Sequence, residues 1–409
     1  MPGSVVSLPP EGPDEGGNCH LENVKSLKER AVMDKDYTVR RESVLRLADK
    51  CRNDAEVFEI VRERAVKDSN YTVRKLALRE LARLWQEKPG ILALVRERAI
   101  EDVNYEVRRA AVKELATYWG DWPEIPELLR DWAENAEDKF VRGAAIQELS
   151  RHWGSTCCTF DFVKERVLKD KDSFVRTVAV QSLGKYWKES PEALSLLKEK
   201  ALSDEHYSVR AVAVQELAEV CNSEEDTLRL IRELAVVDEH YSVRGAAIKA
   251  LAKGWPDKPE TLELLRERCL DDEDNMVRGI ALHMLSSLWA EEPGIFDLAL
   301  EKAVKDSHYS VRKCAVEELA KSWPDRPKSL RTIRDRLLND SDNFVRITAV
   351  QELAKGWKED PETLQLVKKM ALREKDEFTR EAAIQELIDG WQSEDVTELV
   401  KKLIGRSAL

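Results

Sequence analysis

The segment from Pro259 to Trp289 reads PETLELLRERCLDDEDNMVRGIALHMLSSLW, and its two halves carry two separate helical patterns. Its Val277-Arg278 pair recurs every 34 residues, from Val39-Arg40, Val73-Arg74 and Val107-Arg108 to Val345-Arg346, with an eleventh copy reading Thr379-Arg380. A period held this long without an insertion predicts an all-α solenoid, in which each unit packs only on its neighbours. The spacing predicts a right-handed superhelix of about eleven helix pairs, closed by a helix near 396–404 whose Lys401 and Lys402 give a polar end. Residues 1–20, rich in Pro and Gly, read as a disordered leader, and 21–409 as one repeat array.

The first helix of each pair runs from a Pro column to the residues after Arg-Glu-Arg, and the second from Val-Arg to the Trp. Pro89, Pro123, Pro191, Pro259, Pro293, Pro327 and Pro361 occupy that column, where a first helical turn tolerates a missing N–H. Counting Val as zero, Leu holds position +8 from Leu47 to Leu387, and Ala holds +4 except at Ser43. At 3.6 residues per turn, positions 0, +4, +5, +8 and +12 form one buried stripe. Each buried Leu stabilises by roughly 1.5–3 kcal/mol, so the stripes together form an elongated core.

The turn between the helices has its own chemistry. Asp34, Asp68, Asp102, Asp170, Asp204, Asp238, Asp272, Asp306 and Asp340 stand six residues before Arg40, Arg74, Arg108, Arg176, Arg210, Arg244, Arg278, Arg312 and Arg346, with Ala136 and Glu374 as departures. Two residues after the acidic column comes a short acceptor such as Asp36, Asn70, Asn104 or Asp274, suited to cap the second helix. The Arg column is placed to reach along the stack and form a ladder of charge-assisted hydrogen bonds between successive repeats. Breaking it at Arg210 is expected to cost more than truncating Arg83, read as solvent-facing.

This run of Asp, N-cap, Val-Arg and an Ala, aliphatic and Leu helix resembles HEAT-like repeats over Leu21 to about Leu403. The resemblance implies an Asp/Arg ladder on the columns above, weakened at Ala136, Glu374 and Thr379. The wording of the repeats resembles HEAT-like arrays of bacterial, cyanobacterial-type proteins, some of which follow NACHT modules and serve as sensing or scaffolding regions. A second relative is the HEAT-like group of phycobilin lyases, which act on bilin-carrying proteins. No G-x-x-x-x-G-K-[ST] loop occurs in the chain, and no His-Glu pair of the kind used by HEAT-fold deoxyhypusine hydroxylases.

With 66 basic and 78 acidic residues the formal charge is −12, which argues against nucleic-acid coating as the main task. Seven cysteines, mostly on apolar repeat positions, read as reduced thiols, and no apolar run has membrane-spanning or signal-peptide length. A cytoplasmic monomer is expected. The Trp column, from Trp85 to Trp391, reads as packing rather than a docking row, while Trp122 and Trp132 make 119–135 a candidate hot spot. His206, His240 and His308 fall in the N-cap column, too far apart for one metal ion.

The outward face of the second helices, expected to line the concave surface of the superhelix, carries Arg79, Arg83, Lys113, Arg151, Lys185, Lys249, Lys253, Lys321 and Lys355 at +6 and +10, with Gln147, Gln181, Gln215 and Gln351 among an amide row at +6. That face reads either as a site for an extended protein or peptide backbone, or as a solvated face offset by Glu at +7 such as Glu80, Glu114, Glu148, Glu318 and Glu352. The expectation is a non-enzymatic scaffold or recognition module with no catalytic residue, cofactor or metal, and a phycobilin-lyase-like role as the alternative.

Overall fold

The computed structural model describes the backbone of residues 17–221 and 224–407 and the side chains of 24–221 and 224–403. The expected leader lies outside these up to residue 16, and the first helix begins at Gly17 rather than at Leu21. The chain divides into two compact units, Met1–Trp187 and Lys188–Leu409.

In the first unit, α1 (Gly17–Met33), α3 (Ala55–Lys67), α5 (Ile91–Glu101), α7 (Glu124–Asn135) and α9 (Cys157–Lys169) alternate with α2 (Tyr37–Lys50), α4 (Tyr71–Trp85), α6 (Tyr105–Tyr118), α8 (Lys139–Trp153) and α10 (Ser173–Tyr186). In the second, α11 (Pro191–Ser203), α13 (Glu225–Val237), α15 (Pro259–Asp271), α17 (Ile295–Lys305), α19 (Pro327–Asn339) and α21 (Pro361–Arg373) alternate with α12 (Tyr207–Val220), α14 (Tyr241–Gly254), α16 (Asn275–Leu288), α18 (Tyr309–Ser322), α20 (Asn343–Gly356) and α22 (Glu377–Gly390). Each odd helix packs on the even helix that follows it, and within each unit the even helices pack on one another. The result is an α-solenoid of stacked pairs. The last helix, α23 (Glu394–Ser407), covers α22 with Val396 and Val400, while Lys401 and Lys402 face outward.

The Val, Ala and Leu columns are the core: Val73, Ala77 and Leu81, or Val277, Ala281 and Leu285, are fully buried. The Pro column behaves in two ways. Pro191, Pro259, Pro327 and Pro361 open their helices. Pro89 and Pro293 instead precede Gly90 and Gly294, whose φ of 85° and 86° turns the chain through the left-handed region before the helix starts, and Pro123 lies just ahead of α7. A side chain at either glycine would carry the steric cost of that region.

The turns hold the repeats in register. Asp36, Asn70, Asn104 and Asp274 each cap their second helix through the side chain, and His206, His240 and His308 do so through Nδ1. Arg244 donates from Nε and Nη2 to the two carboxylate oxygens of Asp272 at 3.0 and 2.8 Å, and from Nη1 to the Asp238 carbonyl at 2.9 Å. Asp272 also accepts the Asp274 N–H at 3.0 Å. One guanidinium thus ties its own turn to the next. The same link joins Arg40 to Asp68, Arg74 to Asp102 and Arg142 to Asp170 in the first unit, and Arg210 to Asp238, Arg278 to Asp306 and Arg312 to Asp340 in the second. Burial alone would raise the carboxyls of Asp68, Asp102, Asp306 and Asp340, but the arginine and backbone hydrogen bonds outweigh it and hold them below the usual range. Arg176 donates to the Asp170 carbonyl and Asp204 accepts the His206 N–H, both at 3.0 Å, the turn contacts seen in the other repeats.

Three departures change the link locally. Ala136 offers no carboxylate, so Arg108 bonds the N-cap Asp138 instead, through Nε alone at 2.6 Å and with more solvent around it. At Glu374 the ion pair with Arg346 loosens to 3.5 Å. Buried Thr379, in place of Val, turns its hydroxyl to Asp376 at 2.8 Å.

The Trp column joins neighbouring repeats as well. The indole N–H of Trp85, Trp187, Trp323 and Trp391 donates to the carbonyls of Arg52, Gly154, Ala290 and Lys358, each just after the preceding column position. Trp132 is buried in α7 while Trp122 is 45% exposed, so the two do not form one surface cluster.

Arg83 does not stand free on the solvent side: its Nε donates to buried Glu80 at 2.8 Å, and it also reaches Asp49. A better comparison for the ladder is Arg229, 75% exposed and loosely paired with Asp226. Arg210→Ala should destabilise by about 3 kcal/mol or more, because Asp238 is left buried without its partner, and Arg229→Ala by less than about 0.5 kcal/mol. Urea denaturation of both variants checks this, and equal midpoints would contradict the ladder.

Candidate functional site

The second helices expose the +6 and +10 columns because these positions lie opposite the Val, Ala and Leu stripe. Within the first unit, successive second helices enclose a groove of about 1040 Å³. Arg79, Lys113, Gln147, Arg151 and Lys185 line it together, joined by Arg41, Lys75, Arg109 and the rings of Tyr37, Tyr71 and Tyr186. In the second unit, Gln215, Lys249 and Lys253 meet with Glu219 in a smaller cleft of about 410 Å³. Gln181, Lys321, Gln351 and Lys355 are exposed on their helices but line neither cavity. Arg83 is held by Glu80 and Asp49, outside the groove.

The cations differ in how committed they are. Lys75 pairs with Glu106 at 2.9 Å, and Arg79 with Glu80 at 3.0 Å. Arg109 donates to the Gln147 side-chain oxygen at 3.3 Å, which leaves the Gln147 NH2 directed elsewhere. Lys185 lies 5.4 Å from the Tyr186 ring centroid. Arg41, Lys113 and Arg151 make no ion pair among the described residues.

The Glu column at +7 is not a solvated offset. Glu80, Glu114, Glu148 and Glu318 are all buried, with residue exposures of 1–6%. Position +7 falls about 20° from Val on the helical wheel, at the edge of the buried stripe, where the neighbouring second helix covers it. Burial pushes the Glu114 carboxyl up to about 7, against opposing attraction from Lys113 and Arg79, and burial likewise raises Glu148 and Glu352. Glu148 Oε2 has no hydrogen-bond partner, and the His152 ring nitrogen 3.4 Å away lies outside bonding geometry. Glu318 Oε1 meets His283 Nδ1 at 2.8 Å, while its Oε2, like that of Glu148, has no hydrogen-bond partner.

Two further rows escaped the sequence reading. Tyr37, Tyr71, Tyr105, Tyr207, Tyr241 and Tyr309 sit just after the N-cap and are 38–44% exposed. Some continue as stacks between repeats, as Tyr207 on His240 at 3.6 Å and Tyr105 on Phe140 at 4.4 Å. On the first helices, Leu202, Val236, Leu270, Val304, Leu338 and Leu372 recur at the same interval and are 43–55% exposed. Both rows were visible as columns 34 residues apart.

Among the described residues no group of three His, Cys, Asp or Glu side chains is placed to hold a metal, and no helix is long and apolar enough to cross a membrane. The arrangement offers cations, one amide and buried acceptors along a groove, which suits recognition of an extended, hydrogen-bonding ligand.

The two sets of carboxyls give opposite pH dependence. Those held low on the ladder stabilise the fold above the ordinary carboxylate pKa, and that stability is lost as pH falls through their lowered values. Glu114, held high, favours the fold when protonated, and that contribution is lost as pH rises through about 7. Glu114→Gln should therefore be more stable than the parent at pH 8, by roughly 1–3 kcal/mol, with the advantage vanishing by pH 5. Denaturant midpoints at the two pH values check this.

A family model for HEAT repeats matches residues 58–150, 92–184, 199–286 and 297–388, most of the chain, and no match crosses Trp187. No curated protein matches the sequence. Among solved structures, YibA of Escherichia coli is 20% identical, with 66% of this chain and 95% of that chain covered at a TM-score of 0.42. Kap95p, described in a study of its binding to RanGDP, is 15% identical over 90% of this chain and 55% of its own, at 0.49. The CpcE–CpcF complex of phycocyanin lyase from Nostoc sp. PCC7120 is 17% identical over 59% and 91%, at 0.32. These likenesses are too distant to carry a function. The repeat model, matched across both units and in step with the helix pairs, is decisive on its own: the chain belongs to the HEAT-repeat family.

Proposed function

We propose that the chain is a non-enzymatic recognition module or scaffold that binds a protein partner along the outward face of its second helices. The observation behind this reading is the first-unit groove, which gathers Arg79, Lys113, Gln147, Arg151 and Lys185 from four successive second helices onto one surface. Gln215, Lys249 and Lys253 repeat the chemistry on a smaller scale in the second unit. Solenoids present such extended surfaces without further chemistry. On the wording of the repeats alone, the setting we infer is that of the bacterial, cyanobacterial-type arrays, some of which follow NACHT modules. A bilin-handling role rests on resemblance only, and an absorption titration with phycocyanobilin separates it, since a scaffold leaves the pigment spectrum unchanged.

Reversing Lys185, Lys249 and Lys253 to Glu should slow association with a captured partner several-fold and flatten its salt dependence, with the fold intact. The control has to avoid Arg334 and Arg266, because Arg334 bonds Glu362 and Asp360 of the next repeat and Arg266 the Pro293 carbonyl. Arg62, Lys67 and Lys305 are exposed on first helices and pair only within them. Surface plasmon resonance on both triple variants decides: loss in the control with binding retained in the second-helix triple would place the interface on the wrong side.

A further inference from the structure

The first helices of the second unit carry a surface of a different chemistry. Leu202, Val236, Leu270, Val304 and Leu338 recur 34 residues apart in the last turns of α11, α13, α15, α17 and α19, each 43–55% exposed. Single exposed aliphatics are ordinary, but an unbroken row of them marks a contact surface. Three residues before each stands an acid: Glu199, Glu233, Glu267 and Glu301, all exposed, and half-buried Asp335. An offset of three sets acid and aliphatic side by side on one helix face. Glu199 and Glu301 meet Lys200 and Lys305 of their own helices at 3.3 and 3.2 Å, while Glu233 and Glu267 make no ion pair among the described residues. The acidic row stops at Lys369 on α21, and in the first unit Glu134 interrupts the aliphatic one.

Spacing selects the shape of an occupant. Neighbouring first helices touch one another at fewer points than neighbouring second helices do, so they are splayed. Between α19 and α21 a cleft of about 420 Å³ opens, with Leu338 on its wall beside Pro361 and Leu366. Packed helices lie about 8–10 Å apart, and the splay puts the aliphatic groups at the upper end of that range or just beyond it. Residues seven apart on an α-helix share a face and stand about 10.5 Å apart. Same-face side chains recur at about 6.6 Å on an extended strand and about 9.3 Å on a polyproline helix, both shorter than the row asks for. Charge selects the sign. A second copy meeting this one through the same row would set acid against acid, and an anionic bilayer surface is repelled.

We infer that the first helices of the second unit bind a basic amphipathic α-helix of a protein partner, laid across α11 to α19. Its apolar stripe covers the aliphatic row, and its lysines or arginines meet the acidic one. Four steps of the row correspond to four heptads of such a helix, about 42 Å in length. This surface is separate from the second-helix face, and neither reading depends on the other.

The test uses the full chain and three fluorescein-labelled peptides of four heptads each, followed by anisotropy at physiological salt. The first has leucine at the first and fourth positions of each heptad, with lysine and alanine elsewhere. The second has the same composition in scrambled order, and the third carries proline at two central positions. The first should bind, and the other two at least tenfold more weakly. Equal binding of the scrambled peptide would reduce the contact to charge attraction, and equal binding of the proline peptide would exclude a helix; either overturns the proposal. Both comparisons use the unaltered protein and do not depend on any variant folding. Val236→Ser, Leu270→Ser and Val304→Ser together should weaken the first peptide at least tenfold, and Glu233→Gln with Glu267→Gln at least threefold, with a shallower salt dependence. Lys113→Gln, Arg151→Gln and Lys185→Gln in the first-unit groove should leave it within twofold. Unchanged affinity in the serine triple would place the peptide elsewhere and sink the assignment. If the serine triple instead separates a dimer in sedimentation while the peptide fails to bind the parent, the row pairs two copies of the chain and the basic partner falls.

Discussion

A guanidinium that grips a carboxylate 28 residues further on, and the backbone of its own turn at the same time, is the contact on which the stack depends. Arg244 shows the full set: two bonds to Asp272, one to the Asp238 carbonyl, and a carboxylate that also orders the turn in which it sits. Both partners are nearly sealed from solvent, with side-chain exposures of 4% and 1%. At such burial a paired charge is tolerated only with good geometry and with its remaining hydrogen-bonding groups engaged. The fixed period follows from this demand. An extra residue between the turn and the Arg would misplace the fork, so the spacing of the repeats is the spacing of the ladder.

Register at the turns determines what the second helices offer. With their positions fixed, the Val, Ala and Leu columns of each unit meet in a core, and the +6 and +10 columns lie on the opposite face of the second helices. Between these two faces lies the +7 column, and there the chemistry is tense. Glu80 resolves its burial with Arg79 and Arg83, whereas Glu114 is driven toward protonation, and Glu148 and Glu318 each keep one oxygen without a hydrogen bond, although His283 meets the other oxygen of Glu318.

Much of the fold could be read from the chain because it is written in columns. The Val-Arg and Leu columns, the N-cap residues and the Asp-to-Arg offset are each local patterns repeated many times, so a single helical wheel and a single turn describe them all. What escaped were places where one column depends on another. Ala136 reads as a gap in the ladder, but its repair by Asp138 depends on where the Arg108 fork reaches in space. Pro89 and Pro293 share a column with Pro259, yet the glycine that follows each converts a helix start into a left-handed turn. The Glu column at +7 was legible by angle alone, and its acidic character obscured that. The candidate site was legible as rows of charge and amide; its concentration between Tyr37 and Tyr186, rather than evenly along the array, required the packing of the second helices.

The direct measurement of this account is the coupling between Arg244 and Asp272, from urea denaturation of Arg244→Met, Asp272→Leu and the double variant beside the parent. If the guanidinium–carboxylate link joins successive repeats as described, each single change leaves a buried group without its partner and costs about 3–5 kcal/mol, and the double costs far less than their sum. The coupling should reach about 2 kcal/mol or more. Additive losses, with coupling near zero, would show that the two side chains are neighbours without being bound, and the ladder would lose its place as the contact that sets the repeat.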